Sequence, residues 1–210
     1  MSNPAKAKLA HKRAEDLRLT IALAAHTLFV ADGDTSATVE RICETVGIAP
    51  RTFHRYFATK EDVVLPLFRR SEQLVREVLA KAPIDTDPAD VLTHAFTTEV
   101  HQRQSFDFDR TFMTLMINTP EYRRRWLEWG EWLYEPITEF LAARIDLGTD
   151  PFLRELPAQL VVQTSRQAYT HWIVRAESTD FAEVEAIMQR GLTVLFAGLS
   201  AVTSPVAHPT

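Results

Sequence analysis

Apolar residues recur at three-and-four spacing along the whole chain, and no stretch sustains the two-residue alternation of a half-buried strand. No Asn-Gly or Asp-Gly pair stands between β-branched runs, so a tight hairpin has no turn to start from. The pattern predicts an all-α protein. The 210 residues, 46% hydrophobic, suffice for one ordinary domain or two small ones, each with a buried core. Six glycines and eleven prolines are too few for a collagen-like or generally disordered chain. No apolar run approaches the ~18 residues that span a bilayer, and the opening MSNPAKAKLAHKR lacks the apolar stretch of a secretory leader. The expected compartment is the cytoplasm, with no membrane partner.

Capping and breaking residues divide the helical pattern. The first helix is expected over residues 11–31, with Leu17, Ile21, Ala24, Ala25 and Leu28 on one face, ending at Asp32-Gly33-Asp34. Thr38 is placed to cap a short helix over 39–46, whose Ile42 and Val46 face inward and which Gly47 ends. Pro50 suits the first turn of the next helix, residues 51–57. Thr59 can cap a fourth helix that runs through Lys60-Glu61-Asp62 to Lys81, with acids in its first turn as the helix dipole favours. The stretch 82–88, APIDTDP, joins proline with acid and lacks periodicity, which divides the chain into residues 1–81 and 82–210. Beyond it helices are expected over 89–102, 107–118, 120–145, 151–176 and 181–202, about nine in all. Pro136 should kink or break the third of these, and Pro157 should move the start of the fourth toward Glu155. The tail from Thr203 should fray.

The net charge of -5 hides an asymmetry. Residues 1–81 hold 13 Lys+Arg against 10 Asp+Glu, and the remainder holds 10 against 18. Residues 1–13 carry Lys6, Lys8, Lys12 and Arg13 with no acid, and residues 51–60 carry Arg51, Arg55 and Lys60 with no acid. Both are docking patches for a polyanion. The single cysteine, Cys43, falls in the spacing of an apolar face and reads as a core thiol.

The segment 38–62, TVERICETVGIAPRTFHRYFATKED, carries the functional signal. Two short helices joined by a glycine turn form a helix-turn-helix, whose second helix can enter a major groove about 12 Å wide. If Ile42, Val46, Ile48, Phe53 and Phe57 pack inward, then Arg51, Thr52, His54, Arg55 and Tyr56 turn outward. Arginine can donate a bidentate pair to guanine, threonine can meet a base edge or a thymine methyl, and tyrosine and lysine can donate to phosphate. Lys60 and the N–H groups after Thr38 lie at helix N-termini, where phosphate is favoured.

Thr38-Val39, Ile42, Gly47-Ile48, Thr52-Phe53, Arg55-Tyr56-Phe57 and Lys60-Glu61-Asp62, after an amphipathic helix ending in Gly33, together resemble the tetracycline-repressor (TetR) family. The resemblance implies that Thr38 and Lys60 hold phosphates and that Thr52, His54, Arg55 and Tyr56 form the recognition surface. His54 stands where the family usually has tyrosine, and Pro50-Arg51 replaces a polar-small pair. It further implies a homodimer that binds a double-stranded operator, and a C-terminal helical domain that dimerises through its last two helices and holds a small-molecule effector.

Those last helices carry Leu160, Gln163, Thr164, Gln167, Tyr169, Trp172, Ile187, Gly191, Val194, Leu195 and Gly198 at turn spacing, as a four-helix interface needs. Phe96, Phe106, Phe108, Phe112, Met113, Met116, Trp126, Trp129 and Trp132 could wall an apolar pocket, with His101, Asn118, Gln163 and Tyr169 as polar anchors. The ligand set expected is Phe96, His101, Phe112, Met113, Met116, Trp129, Gln163 and Tyr169, for an apolar or aromatic effector. No HExxH, GxSxG or phosphate loop marks an enzyme, and His101 with Asp107 and Asp109 lacks a second histidine one turn on. No catalytic residue, metal or cofactor is expected. A helical scaffold that never touches DNA is the competing class, disfavoured by the acid-free second helix and the basic N-terminus.

Overall fold

The computed structural model describes residues 4–103, 106–175 and 180–203. These form ten α-helices and one 3-10 turn: α1 (Pro4–Asp32), α2 (Val39–Val46), α3 (Pro50–Tyr56), the turn Glu61–Val64, α4 (Leu65–Lys81), α5 (Pro88–Arg103), α6 (Phe106–Asn118), α7 (Pro120–Glu131), α8 (Tyr134–Ala142), α9 (Pro151–Arg175) and α10 (Phe181–Thr203). No strand occurs among the described residues. The side chains of Phe106, Asp107, Phe108 and Asp109, and the tail from residue 204, lie outside what is described.

Four helix limits differ from expectation. The fourth helix, expected to run from a Thr59 cap, opens as the 3-10 turn Glu61–Val64 and becomes α-helical at Leu65, with Asp62 accepting the Thr59 N–H instead of Thr59 capping the helix. Helix α1 begins two turns early, at Pro4, because proline suits the first helical position and the AKAKLA run has high helix propensity without tertiary support. The helix expected over 120–145 is two helices. The chain breaks at Trp132-Leu133, where the Leu133 N–H reaches the Gly130 carbonyl at 3.2 Å, so Pro136 falls in the first turn of α8 and its missing N–H removes no bond. Helix α9 starts at Pro151 and contains Pro157. Asp150 sets that start, its carboxylate accepting the Leu153 N–H at 3.1 Å.

The chain forms two compact units that do not follow chain order: residues up to Ser71 with Phe108–Trp129, and Glu72–Asp107 with the residues from Gly130. Helix α4 runs from one into the other.

In the first unit the buried stripe of α1 is Ile21, Ala22, Ala25, His26 and Phe29. It is rotated from the expected face, since Leu17, Ala24 and Leu28 are only half-buried. The rotation follows from what α1 meets: the His26 ring lies 4.3 Å from that of Phe112 on α6, and Phe29 is edge-on to Tyr122 of α7 at 5.6 Å. Ile42, Cys43, Phe53, Phe57, Val63 and Val64 complete this core. Burial pushes the Cys43 thiol above its ordinary range, as suits a packing residue. Burial, and behind it the carboxylates of Glu61 and Glu121, does the same to the Tyr122 phenol.

In the second unit α5, α8, α9 and α10 bury Leu92, Phe96, Ile137, Leu141, Val161, Trp172, Val184 and Met188, among others. Polar side chains tie α5 to α10: Gln189 accepts from Thr93 at 2.6 Å and donates to Asp90 at 2.5 Å. The segment after α4 is held in place, with the Arg144 guanidinium donating to the carbonyls of Ala82 and Pro83 at 2.9 and 3.0 Å.

Within the first unit Arg125 of α7 pairs with Asp62 at 2.6 Å, the two side chains being 14% and 15% exposed. The other Asp62 oxygen accepts the Thr59 N–H at 2.9 Å. Removing one partner of a pair this buried strands the other charge, which costs more than the pair itself contributes. Arg125→Met is therefore expected to destabilise the fold by about 3 kcal/mol in urea unfolding. Adding Asp62→Asn should restore part of that loss, and strict additivity of the two changes would dispose of the coupling.

Candidate nucleic-acid interface

Local bonds shape the helix pair. Thr38, with extended backbone, accepts the Arg41 N–H on its hydroxyl at 3.2 Å and so caps α2. At the other end Gly47 has φ 74° and ψ 36°, its N–H reaching the Glu44 carbonyl at 3.2 Å while the Ile48 N–H reaches that of Cys43 at 3.0 Å. These two bonds are a Schellman stop, which needs the left-handed conformation at the glycine. Pro50 opens α3 at its first position, where its missing N–H would have no partner, and its fixed φ is already helical.

With α2 and α3 set in this way, Phe53 faces inward at 0% exposure and touches Phe57, ring centroids 4.9 Å apart. The opposite face of α3 presents Arg51, His54 and Arg55 to solvent, with Thr52 and Tyr56 half-buried. Val46 and Ile48 are half-buried as well. Thr38 is exposed at the start of α2. Lys60 is half-buried, its ammonium donating to the Thr35 carbonyl at 2.8 Å in the loop that leads to Thr38. In that loop Asp34 accepts the Ser36 N–H at 2.7 Å, and bonding to the Ser36 side chain and amide holds the Asp34 carboxyl below its usual range.

Two cations outside the expected set border this surface. Arg41 forms a two-pronged pair with Asp32 that links α2 to the last turn of α1. Arg18 of α1 lies over the Tyr56 ring at 5.4 Å, and Arg55 lies over the same ring at 4.9 Å and donates to its hydroxyl at 3.2 Å. Helical periodicity marks neither, because each meets its partner through tertiary contact.

The expected effector residues divide between the two units. In the first, Phe112 and Met116 are buried, Met113 is half-buried, and Trp129 stacks on Phe68 at 5.7 Å with its indole N–H buried and unbonded. In the second, Phe96 is buried and its carbonyl accepts the Tyr169 hydroxyl at 3.0 Å, while His101 lies 2.5 Å from Glu185. Gln163 is exposed on α9. Among the described residues no group of three or more His, Cys, Asp or Glu is placed to hold a metal ion.

On α9 and α10, Leu160, Gln163, Gln167, Val194 and Gly198 point outward. Trp172, expected on that face, is a correction. It is 1% exposed and edge-on to Phe181 at 5.7 Å, because the bulkiest side chain of α9 fills the interior of its own unit. Close packing of the two helices depends on Gly191, where a Cβ would stand 2.6 Å from the Thr164 methyl carbon.

A capped short helix, a left-handed glycine and a second short helix with an outward cationic face define a helix-turn-helix DNA-binding protein. Residues 21–67 match the family described as bacterial regulatory proteins, tetR family, and residues 86–200 match the MftR C-terminal domain. The chain belongs to the TetR family and is a transcriptional regulator. It is 27% identical over 177 residues to the HTH-type transcriptional regulator TcmR of Streptomyces glaucescens, covering 80% of this chain and 77% of that protein. Identity to the HTH-type transcriptional repressor AcnR of Corynebacterium diphtheriae is 30% over 125 residues, 59% of this chain and 63% of the relative. The fold is that of Thermus thermophilus FadR, a TetR-family repressor solved with lauroyl-CoA, at TM-score 0.59 and 20% identity over 92% of this chain and 99% of that one. No described helix is long and apolar enough to cross a membrane.

Gly47→Ala is expected to cost about 1–2 kcal/mol, read from thermal unfolding. An added Cβ meets nothing within 4 Å, so the loss would come from backbone strain alone. An unchanged midpoint would contradict the left-handed cap.

Proposed function

We propose that this chain is a homodimeric, ligand-responsive repressor in which residues 1–81 grip DNA and residues 82–210 dimerise and bind the effector. The observation that carries the proposal is the outward face of α3, cationic and acid-free, on a pair of helices anchored from beneath by Phe53 and Ile42. Arg51, Thr52, His54, Arg55 and Tyr56 meet the major groove, with Thr38 and Lys60 serving the phosphate backbone. Two copies related by a two-fold axis present their α3 helices to successive grooves about 34–36 Å apart, so the operator is a near-palindrome.

The effector is small and apolar or aromatic, and Phe112, Met113, Met116 and Trp129, all in the first unit, are the residues proposed to meet it. The unbonded indole N–H of Trp129 supports this, since a buried donor without an acceptor gains from a ligand that supplies one. The acyl chain of lauroyl-CoA, bound by the Thermus protein of the same fold, supports an effector with an apolar part. Repression is relieved when the effector favours an arrangement of the dimer whose two heads no longer match the spacing of the grooves, which requires different affinities for the two arrangements. The protein works in the cytoplasm and catalyses no reaction.

Duplex binding should weaken steeply with salt, by about 0.9 in log-log slope for each phosphate neutralised. Arg51→Ala should lower operator affinity by ~1–3 kcal/mol and relax preference at one base pair, whereas Lys60→Ala should weaken all sequences alike. Salt-independent binding, or none, in fluorescence anisotropy would end the regulator assignment. The exposed face of α9 and α10 supports dimerisation, Val194 being 74% exposed and Leu160 37%. Val194→Arg is expected to shift sedimentation from dimer to monomer with helical content unchanged, and a dimer of wild-type affinity would exclude this face.

A further inference from the structure

We infer that Arg18, on α1 and outside the helix-turn-helix, joins Tyr56 and Arg55 in a clamp for one DNA backbone phosphate, an inference that rests on the DNA-binding proposal above. Both guanidinium groups lie within the ~6 Å at which a cation is drawn to an aromatic ring, at 5.4 and 4.9 Å from the same ring centroid. Two like charges brought to one ring repel each other, and an anion between them removes that repulsion. The Tyr56 oxygen already accepts from Arg55 at 3.2 Å, so its own proton is the group left to donate. A hydroxyl that accepts from a cation is also a stronger donor. Phosphate matches this set, because its oxygens can take the phenol proton and N–H groups of both guanidiniums together.

The surrounding charge agrees. Arg18 and Tyr56 border a cleft of about 310 Å³ that Glu15, Asp62 and Arg69 also line, and Arg55 reaches the Tyr56 ring and hydroxyl from α3. Asp62 is neutralised by Arg125 at 2.6 Å and takes the Thr59 N–H, which leaves Glu15 as the acid that competes for the site. Glu15 contacts Arg18 one turn away on α1, and both side chains are about one-third exposed. That exposed pair is weak and is lost readily to a stronger anion. Arg55 and Tyr56 in this arrangement reach a phosphate at the edge of the groove that α3 enters.

The test uses the full chain and a fluorescent mixed-sequence duplex, with anisotropy followed across a potassium chloride series. Arg18→Gln should reduce the log-log salt slope by about one unit, Arg18→Lys should keep it, and Glu15→Gln should tighten binding at low salt. Thermal melting of each variant separates binding from folding. A wild-type slope in Arg18→Gln overturns the clamp, as does a loss of affinity at unchanged slope, which is the mark of a structural role alone. Failure of Arg18→Lys to restore the slope also overturns it. If the wild-type chain binds no duplex at low salt, the regulator assignment falls together with the clamp. Wild-type binding with an unaltered Arg18→Gln variant removes the clamp only.

Discussion

Helices of eight and seven residues are too short to persist in water, where even favourable sequences need about 12–15 residues for marginal helicity. The presentation of α3 therefore depends on burial beneath it. Ile42 and Phe53 are 0% exposed, in one core with Ile21, Ala25 and Phe29 of α1, and each such side chain contributes roughly 1.5–3 kcal/mol. Local caps add only about 1 kcal/mol apiece. The caps decide where α2 and α3 begin and end, and the apolar contacts decide that they exist.

That same α1 stripe also serves α6 and α7, through His26 against Phe112 and Phe29 against Tyr122. The unit that carries α2 and α3 consequently includes residues far along the chain, Phe108–Trp129. Helix α7 is joined directly to the 3-10 turn after α3, through Arg125 and Asp62. Magnitudes separate this contact from the other ion pairs. Arg41–Asp32 has a half-exposed arginine and belongs to the class worth up to about 1 kcal/mol, whereas breaking a buried pair costs several times that.

Much of the geometry of the α2–α3 pair was legible in the sequence. Thr38, Gly47 and Pro50 act within three or four residues of themselves, so their roles can be read from neighbours in the chain. The inward set Ile42, Phe53 and Phe57 follows from periodicity, and the outward set Arg51, His54 and Arg55 is its complement. Pro136 was legible as a kink or a break in a long helix, but which of the two was not. Its harmless place in the first turn of α8 depends on the break at Trp132-Leu133, which no local signal marks.

By itself the sequence determined the helical class, the limits of α2 and α3, and the chemical character of the surface they expose, because caps, breakers and spacing act over a few residues. Only the tertiary structure decided which way α1 turns, that Trp172 fills the interior, and that Lys60 meets Thr35, Asp62 meets Arg125, and Arg18 shares the Tyr56 ring with Arg55. Periodicity says that a helix has a buried face, but the partner that buries it comes from elsewhere in the chain, and its packing chooses among adjacent residues that spacing alone treats as equivalent.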